Sequence, residues 1–381
     1  MHSMGGRSIR LAELFGIRIG ASPSWFVVLF VMVYALSGYF ADALGGTQQR
    51  AIVVAVLAAL GFFVSIVLHE LGHAAVARRN GITVQGIDLW FFGGVAKLGR
   101  DTRSPGEEFR VSAAGPAVTA LIVVVTAGLA IALGSPDELV DSARFIDVAV
   151  SPTVALLSWL ATINLFLLVF NLVPAFPLDG GRIARAIAWR VTGDKHRGTR
   201  FAGRMGQAFA ALMVAFGVVL ALTSDPFNGI WFAVLGAFLF QGARAAVDGA
   251  DFAESIDGVT AADVMDREPL TTPGATPLAE ARARLTDGDW PWSAVVDDDG
   301  RFLGILDADS DPEATTAGEA VPESDRQTFA VVDTTPLESL LGSEPLRRLG
   351  ALAVVDDRDR LVGVVTVQQV HRALAAAAPG R

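Results

Sequence analysis

The stretch AIVVAVLAALGFFVSIVLHELGHAAVA, residues 51–77, decides the fold of this chain. An apolar run of about 20 residues is long enough to cross a bilayer as an α-helix, and this stretch reaches that length. Its second half nevertheless contains His69, Glu70 and His73. A charged side chain inside a membrane span costs roughly 2.5–3.5 kcal/mol to insert, so such residues mark a functional site by default. The sequence therefore predicts a membrane helix that carries a polar site.

The three polar residues have the spacing H-E-x-x-H. Residues four apart stand on the same face of a helix, so His69 and His73 can place two imidazole nitrogens on one zinc ion. Glu70, next to a ligand, is where a base must lie to take a proton from a water at the metal. Hydrogen bonding between helices is the alternative interpretation, but it gives no reason for this spacing. We therefore expect one catalytic Zn²⁺ with His69 and His73 as ligands.

Further apolar stretches flank this helix on both sides. They lie at residues 23–40, 109–133, 150–173, 205–222 and 230–246, which makes six candidate transmembrane helices in all. The composition agrees, because 52% of the residues are hydrophobic and only 18% are charged, whereas soluble domains have about 25% charged residues. The sequence thus predicts a multi-pass protein of the cell membrane.

Basic residues are distributed unevenly among the connecting loops. Lys and Arg cluster in residues 78–110 and 182–204, whereas loops 134–149 and 223–228 contain only Arg144 as a basic residue. Because basic loops stay in the cytoplasm, this pattern predicts cytoplasmic N- and C-termini. The first 22 residues contain no small-residue cleavage site after a compact apolar core, so we expect a retained cytoplasmic lead-in.

A catalytic zinc ion takes three protein ligands and keeps one open position. The chain has no cysteine, so the third ligand must be His, Asp or Glu. The best candidate is Asp179 in NLVPAFPLDGG, residues 171–181, where two prolines end a helix and two glycines permit tight turning. Asn171 could donate to the oxyanion. The alternatives are that Asp179 only caps the next helix, or that a downstream Glu completes the site of a different membrane zincin.

Residues 82–98 predict two short β segments that are broken at Gly93-Gly94. Non-helical backbone of this kind is tolerated at membrane depth only where it is buried in protein or lines a wet cavity. We therefore expect a small β-hairpin element inside the membrane core.

The last third of the chain has a different composition. Residues 251–381 carry a net charge of −14, whereas residues 1–250 carry +4 of the total of −10. We expect two domains with these bounds. AVVDDDGRFLGI at 294–305 and AVVDDRDRLVGV at 353–364 form an internal repeat, each preceded by a helix-like segment. The second domain is therefore predicted to be α/β, with one unit used twice.

An H-E-x-x-H within a span, A-G-P at residues 114–116 and the later N-x-x-P-x-x-P-x-D-G-G resemble the site-2 protease family of intramembrane zinc metalloproteases. The repeat resembles a tandem pair of CBS modules over residues 258–378, which some members carry behind the membrane core. The resemblance implies a zinc metalloendopeptidase that cuts a single-span membrane protein, such as an anti-sigma factor, after a first cut has removed its outer part.

The resemblance also implies roles for individual residues. His69, His73 and Asp179 would be the zinc ligands, Glu70 the general base and then acid, and Asn171 the oxyanion donor.

Two further positions follow from the same likeness. The Gly93-Gly94 hairpin is similar to the strand element that aligns substrate by edge pairing. Thr119 stands where many members of the family have Asn.

The CBS-like pair leaves two interpretations open. Adenine-nucleotide sites in such modules usually end in G-x-x-T-x-x-D, but the first repeat has Asp307 in place of the Thr and the second has Gln369 in place of the acid. An acidic surface also disfavours polyphosphates. The pair is therefore either a module regulated by an adenine nucleotide or a structural module that forms a homodimer.

The sequence disfavours two other classes of function, a transporter or channel and a nucleic-acid-binding protein. A transporter or channel gated by the CBS-like pair would need charged or broken-helix sites in two repeated halves, which the sequence lacks. The arginines of residues 182–204 adjoin the membrane, so we expect them at the level of lipid headgroups and expect no nucleic-acid partner.

Overall fold

The computed structural model describes residues 8–44, 47–90, 93–135, 151–307, 310–341 and 343–377. They belong to two compact units, residues 1–248 and residues 249–381. The predicted loop 134–149 lies, from residue 136 onward, outside the described residues.

Six helices of the described chain are long and apolar enough to cross a membrane. They are α1 (Pro23–Leu44), α2 (Gln48–Arg79), α3 (Pro105–Leu133), α4 (Pro152–Leu172), α6 (Lys195–Thr223) and α7 (Pro226–Ser255). A shorter amphipathic helix, α5 (Asp179–Thr192), lies between α4 and α6. The prediction of a polytopic α-helical membrane protein with about six spans is confirmed.

Local signals account for the helix ends. Ser104 and Ser151 cap α3 and α4, where each hydroxyl accepts a hydrogen bond from a backbone N–H of the first turn, and a proline follows each cap. Helix α4 ends just before Val173 and Pro174, as the prolines predicted.

A four-stranded sheet completes the first unit. Its strands are β1 (Ile9–Leu14), β2 (Ile17–Ala21), β3 (Val84–Trp90) and β4 (Gly93–Leu98), in that spatial order. Strands β2 and β3 are parallel, whereas β3 and β4 form an antiparallel hairpin. The predicted hairpin is present, but the position of its break was wrong: Gly93 and Gly94 begin β4 and pair with β3.

The interpretation of residues 1–22 as a mere lead-in was also incomplete. Within them β1 and β2 form a hairpin, and β2 turns the side chains of Ile17 and Ile19 inward, where both are buried. Ile17 packs with Ala74 of α2 and Ile87 of β3. The sheet is thereby attached to the metal-binding part of α2.

The second unit contains the predicted repeat. It comprises α8 (Ala261–Val264), β5 (Thr271–Pro273), α9 (Leu278–Asp287), β6 (Trp292–Val296), β7 (Phe302–Asp307), α10 (Asp325–Thr328), β8 (Ala330–Val332), α11 (Leu337–Leu341), α12 (Glu344–Leu349), β9 (Ala351–Val355), β10 (Leu361–Thr366) and α13 (Val367–Ala377).

Both halves of this unit have the same topology. In each three-stranded sheet the first two strands are parallel and the last two antiparallel, with Ala294 opposite Ile305 in one half and Ala353 opposite Val364 in the other. These four residues belong to one buried cluster, which joins the halves into a common core. The α/β prediction for this domain is confirmed.

Candidate metal centre

Three ligand atoms meet where α2 faces the start of α5. Nε2 of His69 lies 3.0 Å from Oδ2 of Asp179, and Nε2 of His73 lies 3.2 Å from the same oxygen. The two Nε2 atoms are 3.2 Å apart. Both imidazoles are buried and the carboxylate is nearly so. The structure thus brings the three predicted ligands together from positions more than a hundred residues apart in the sequence.

The opposite nitrogen of each ring has its own partner on α3. Nδ1 of His73 donates to the backbone carbonyl of Val111 at 2.7 Å. Nδ1 of His69 lies 2.8 Å from Oγ1 of Thr119, whose own proton points to the carbonyl of Gly115 at 3.3 Å. Because both Nδ1 atoms then carry the proton, Nε2 of each neutral ring has a free lone pair, which is directed toward Asp179.

The residues fit a zinc ion by geometry and by donor chemistry. In a tetrahedral site with zinc–ligand distances of about 2.0–2.2 Å, neighbouring ligand atoms are about 3.3–3.6 Å apart, close to the 3.0–3.2 Å measured here. An aspartate is ordinarily ionised at neutral pH, so Asp179 supplies an anionic oxygen to the two imidazole nitrogens. Two lone pairs and an anionic oxygen at such distances repel one another unless a cation lies between them.

Glycine at position 115 keeps the space in front of the imidazoles open. A Cβ there would lie 2.7 Å from Nε2 of His69 and closer still to Nε2 of His73. Where α2 and α3 meet, a Cβ at Gly72 of α2 would lie 2.9 Å from the carbonyl oxygen of Ala114 of α3. The A-G-P segment and the glycine of H-E-L-G-H therefore let α3 approach the metal-binding face of α2.

Gly180 and Gly181 allow the chain to turn back sharply after α4, which brings Asp179 to α2. A Cβ at Gly180 would overlap the backbone carbonyls of Leu172 and Val173, and one at Gly181 would lie 2.5 Å from the backbone nitrogen of Phe176. Only residues without side chains allow the start of α5 to pack so tightly on the end of α4. Asp179 is the first residue of α5, so it is both a helix-terminal residue and a member of the cluster.

The cluster opens into a cavity of about 590 Å³. Every site residue that the sequence predicted lines it: His69, Glu70, His73, Gly93, Gly94, Asn171 and Asp179. Strand β4 lies directly against the base candidate, because a Cβ at Gly94 would be 2.5 Å from Cγ of Glu70. Ala96, also on β4, lines the same cavity.

A buried ion cluster next to the metal centre was not predicted. Glu108 of α3 is fully buried, and its Oε1 accepts hydrogen bonds from Arg182 at 3.1 Å and from Arg185, while Thr102 donates to its Oε2. The side chain of Arg185 is only 12% exposed. Arg182 and Arg185 thus turn toward Glu108 in the protein, and the position of the arginines of residues 182–204 at headgroup level stays a prediction. In the sequence, the one signal for this ion cluster was Glu108, which stands directly before the apolar stretch 109–133.

The comparisons with known proteins agree with this geometry. A model of peptidase family M50 matches residues 57–216, and a model of the CBS domain matches residues 261–310 and 327–376. The chain is 30% identical to sll0528 of Synechocystis sp. over 99% of both chains, and 33% identical to Rip3 of Mycobacterium tuberculosis over 96% of this chain and 92% of that protein. The chain belongs to peptidase family M50, the site-2 protease family.

Among solved structures, a site-2 protease from Methanocaldococcus jannaschii is 30% identical, and its match covers 63% of this chain and 95% of that chain with a TM-score of 0.41. The names of sll0528 and Rip3 both contain the words zinc metalloprotease. This M50 member is accordingly a zinc metalloprotease with a multi-pass membrane core and a tandem CBS pair, as the sequence predicted.

Proposed function

We propose that this chain is an intramembrane protease in which His69, His73 and Asp179 hold one zinc ion. The observation that carries the proposal is the approach of these three ligand atoms to within 3.2 Å of one another inside a cavity formed by membrane helices. A zinc ion held there would supply Lewis-acid chemistry, which polarises the scissile carbonyl and acidifies water.

The chain's own groups would handle the proton and the developing charge. Glu70 takes a proton from the attacking water and later gives it to the leaving amine, so it acts as base and then as acid. Asn171 lines the same cavity from the end of α4, and its amide donates a hydrogen bond to the carbonyl oxygen as negative charge grows there. The buried position of the ligands keeps bulk water away from these groups.

Strand β4 is proposed to align the substrate. It is the outer strand of the described sheet, and at Gly94 it lies against Glu70. An extended peptide that pairs with β4 at Gly93 and Gly94 would therefore pass in front of Glu70. Because a membrane helix hides its peptide bonds, a single-span substrate must unwind locally to pair in this way. An anti-sigma factor is a substrate of this kind.

Zinc content and cleavage in the same preparations test the catalytic assignment. We expect Asp179→Ala to lose bound zinc, and Glu70→Gln to keep stoichiometric zinc but lose cleavage. Asp248→Ala, which removes a side chain that is 67% exposed, is the control and should leave both unchanged. An Asp179→Ala protein with full zinc and activity would mean that another residue is the third ligand.

The substrate can be found by comparing membrane proteomes of cells that carry the wild type or Glu70→Gln. The proposal predicts that one or a few single-span proteins, already shortened on the outer side, accumulate only with the variant. If no membrane protein accumulates, regulated cleavage of such a substrate is not the function.

We also propose that both termini are cytoplasmic, because the loops around residues 78–110 and 182–204 are rich in Lys and Arg. The chain has no cysteine, so single cysteines report topology without background. Arg103→Cys should be labelled only from the cytoplasmic side and Ser224→Cys only from the opposite side by a membrane-impermeant maleimide. The reverse pattern would exclude this orientation.

For the CBS pair we infer that a structural or dimerising role is better supported than nucleotide regulation. The Gln369 side chain accepts hydrogen bonds from the backbone N–H and hydroxyl of Thr366, and Ser310 is bonded to Asp307, so these side chains are engaged with each other. Titration of the full-length protein with AMP should show no binding, and light scattering should show a dimer. AMP binding with micromolar affinity would instead favour regulation of the CBS pair by a nucleotide.

A further inference from the structure

Arg182 is a cation in the wall of the catalytic cavity that the proposed mechanism does not use. It lies one helical turn after Asp179 on α5, so the two side chains share one face of that helix. The side chain of Arg182 is 29% exposed, and a cation that is mostly removed from water needs a partner.

Glu108 supplies the partner, but it accepts a hydrogen bond from only one of the three guanidinium nitrogens. Within the described residues, the hydrogen bond of Arg182 to Glu108 runs from Nε at 3.1 Å. The two terminal nitrogens, Nη1 and Nη2, have no hydrogen-bond acceptor among the residues that the structure describes. A guanidinium fixed at Nε presents its remaining N–H donors as a fork, which suits the two oxygens of a carboxylate.

The carboxylates around Arg182 are shared with other groups. Glu108 is shared with Arg185, and Asp101 lies 3.9 Å from Arg185 and 2.6 Å from Lys195. With Asp179, whose charge also acts on Arg182, three carboxylates face three cations here. The cluster lies beside the cavity in which, on the proposed function, peptide bonds are cut.

Hydrolysis creates an anion in this cavity. Water adds its oxygen to the carbonyl carbon, the C–N bond breaks, and the neutral amide becomes a carboxylate and an ammonium group. We propose that Arg182, held by Glu108, forms a carboxylate-binding site for the new C-terminus of the cut peptide. This inference rests on the proposed function, because only a peptidase generates that group here.

Two hydrophobic peptides of identical sequence, one ending in a free carboxylate and the other in a carboxamide, test the site. Their affinities for the full-length, zinc-loaded protein in detergent are measured by titration calorimetry. Arg182→Gln should reduce the preference for the carboxylate peptide about tenfold, since a hydrogen-bonded charge contributes at least that much. Arg190→Gln, on the exposed side of the same helix, is the control and should leave the preference unchanged.

Arg182→Lys provides a second measurement if the glutamine variant does not fold. A single ammonium paired with Glu108 cannot offer the fork, so we expect a smaller loss of preference, about threefold. A preference equal to that of the wild type in each variant that folds would overturn the proposal. A uniform loss of affinity for both peptides would do the same, because it would indicate a merely structural role.

The zinc content and cleavage activity of the wild type are measured on the same preparation. If the wild type binds zinc and cuts but Arg182 does not affect the preference, only the carboxylate site is wrong. If the wild type neither holds zinc nor cuts, the proposed function is wrong as well.

Discussion

The two units of the molecule use burial in opposite ways. In the first unit apolar side chains such as Phe30 and Leu222 are 73% and 81% exposed, while Glu108, His69 and His73 are buried. In the second unit the buried residues are mostly apolar, Leu352 and Val354 among them, and the acidic turns around Asp298 are exposed.

The difference follows from the solvent of each unit. A helix in lipid gains nothing by burying leucine, so its interior is free to hold small residues and polar groups that need one another. A domain in water is stabilised mainly by removing apolar surface from solvent. The first unit therefore buries charged and metal-ligating side chains beside its apolar clusters, whereas the second buries mainly apolar ones, and four substitutions test this contrast.

The largest effect is expected from Glu108→Ala, which leaves the largely buried Arg185 and the partly exposed Arg182 without their shared, fully buried carboxylate. Removing one partner of a buried ion pair costs about 3–5 kcal/mol. The free energy of unfolding in detergent, measured by titration with SDS, should fall by that amount. Glu13→Ala, in the exposed hairpin, is the control and should change it little. Equal stability of the two variants would show that the cluster is not structural.

Leu352→Ala tests the second unit, because Leu352 is buried in the cluster formed with Leu337, Val354 and Val365. Truncation of a buried leucine costs about 2–5 kcal/mol. Hydrogen exchange of peptides from β9 and β10 should accelerate accordingly. Zinc content should not change, since the metal centre lies in the other unit. Loss of zinc in this variant would contradict the independence of the two kinds of burial.

Thr119→Val keeps the shape of the side chain but removes the acceptor for Nδ1 of His69. Loss of such an outer partner typically lowers metal affinity 10–100-fold, about 1.4–2.8 kcal/mol. Competition with a fluorescent chelator measures this change, and Thr126→Val, whose hydroxyl bonds only to its own helix, is the control. Unchanged affinity would mean that Thr119 does not orient the imidazole.

The smallest effect is expected from Lys195→Ala, which removes the cation 2.6 Å from the half-exposed Asp101. Exposed pairs contribute about 0–1 kcal/mol, so stability at neutral pH should fall by no more than this. Burial raises the pKa of Asp101, but Lys195 and Arg185 outweigh it and lower that pKa below its ordinary value. The pair's contribution is therefore present above about pH 4 and lost as the pH falls through the lowered pKa. Wild type and variant should unfold alike at the acid end of a pH series; a difference that persists there would contradict this assignment.

Much of the first unit could be predicted because its signals are local. Apolar runs predict spans, and the spacing of His69 and His73 is a property of one helix. Asp179 could be proposed because its prolines and glycines mark a broken helix next to a carboxylate.

The remaining features depend on which distant segments meet, and no local pattern records that. The parallel pairing of β2 with β3 joins residues about seventy positions apart. The acceptors of the imidazoles, Thr119 and the carbonyl of Val111, become visible only once α3 lies against α2. Glu108 and Arg182 each have an ordinary sequence context, and only their contact reveals the cluster.

The missing side chain at Gly115 offers a tool for finding what this protease acts on. A single methyl group there would push the imidazoles of His69 and His73 apart while every ligand and the Glu70 carboxylate stay in the sequence. Gly115→Ala should therefore yield an inert protein that keeps β4 and every cavity-lining residue in its sequence, suited to capturing an uncut client by crosslinking in living cells.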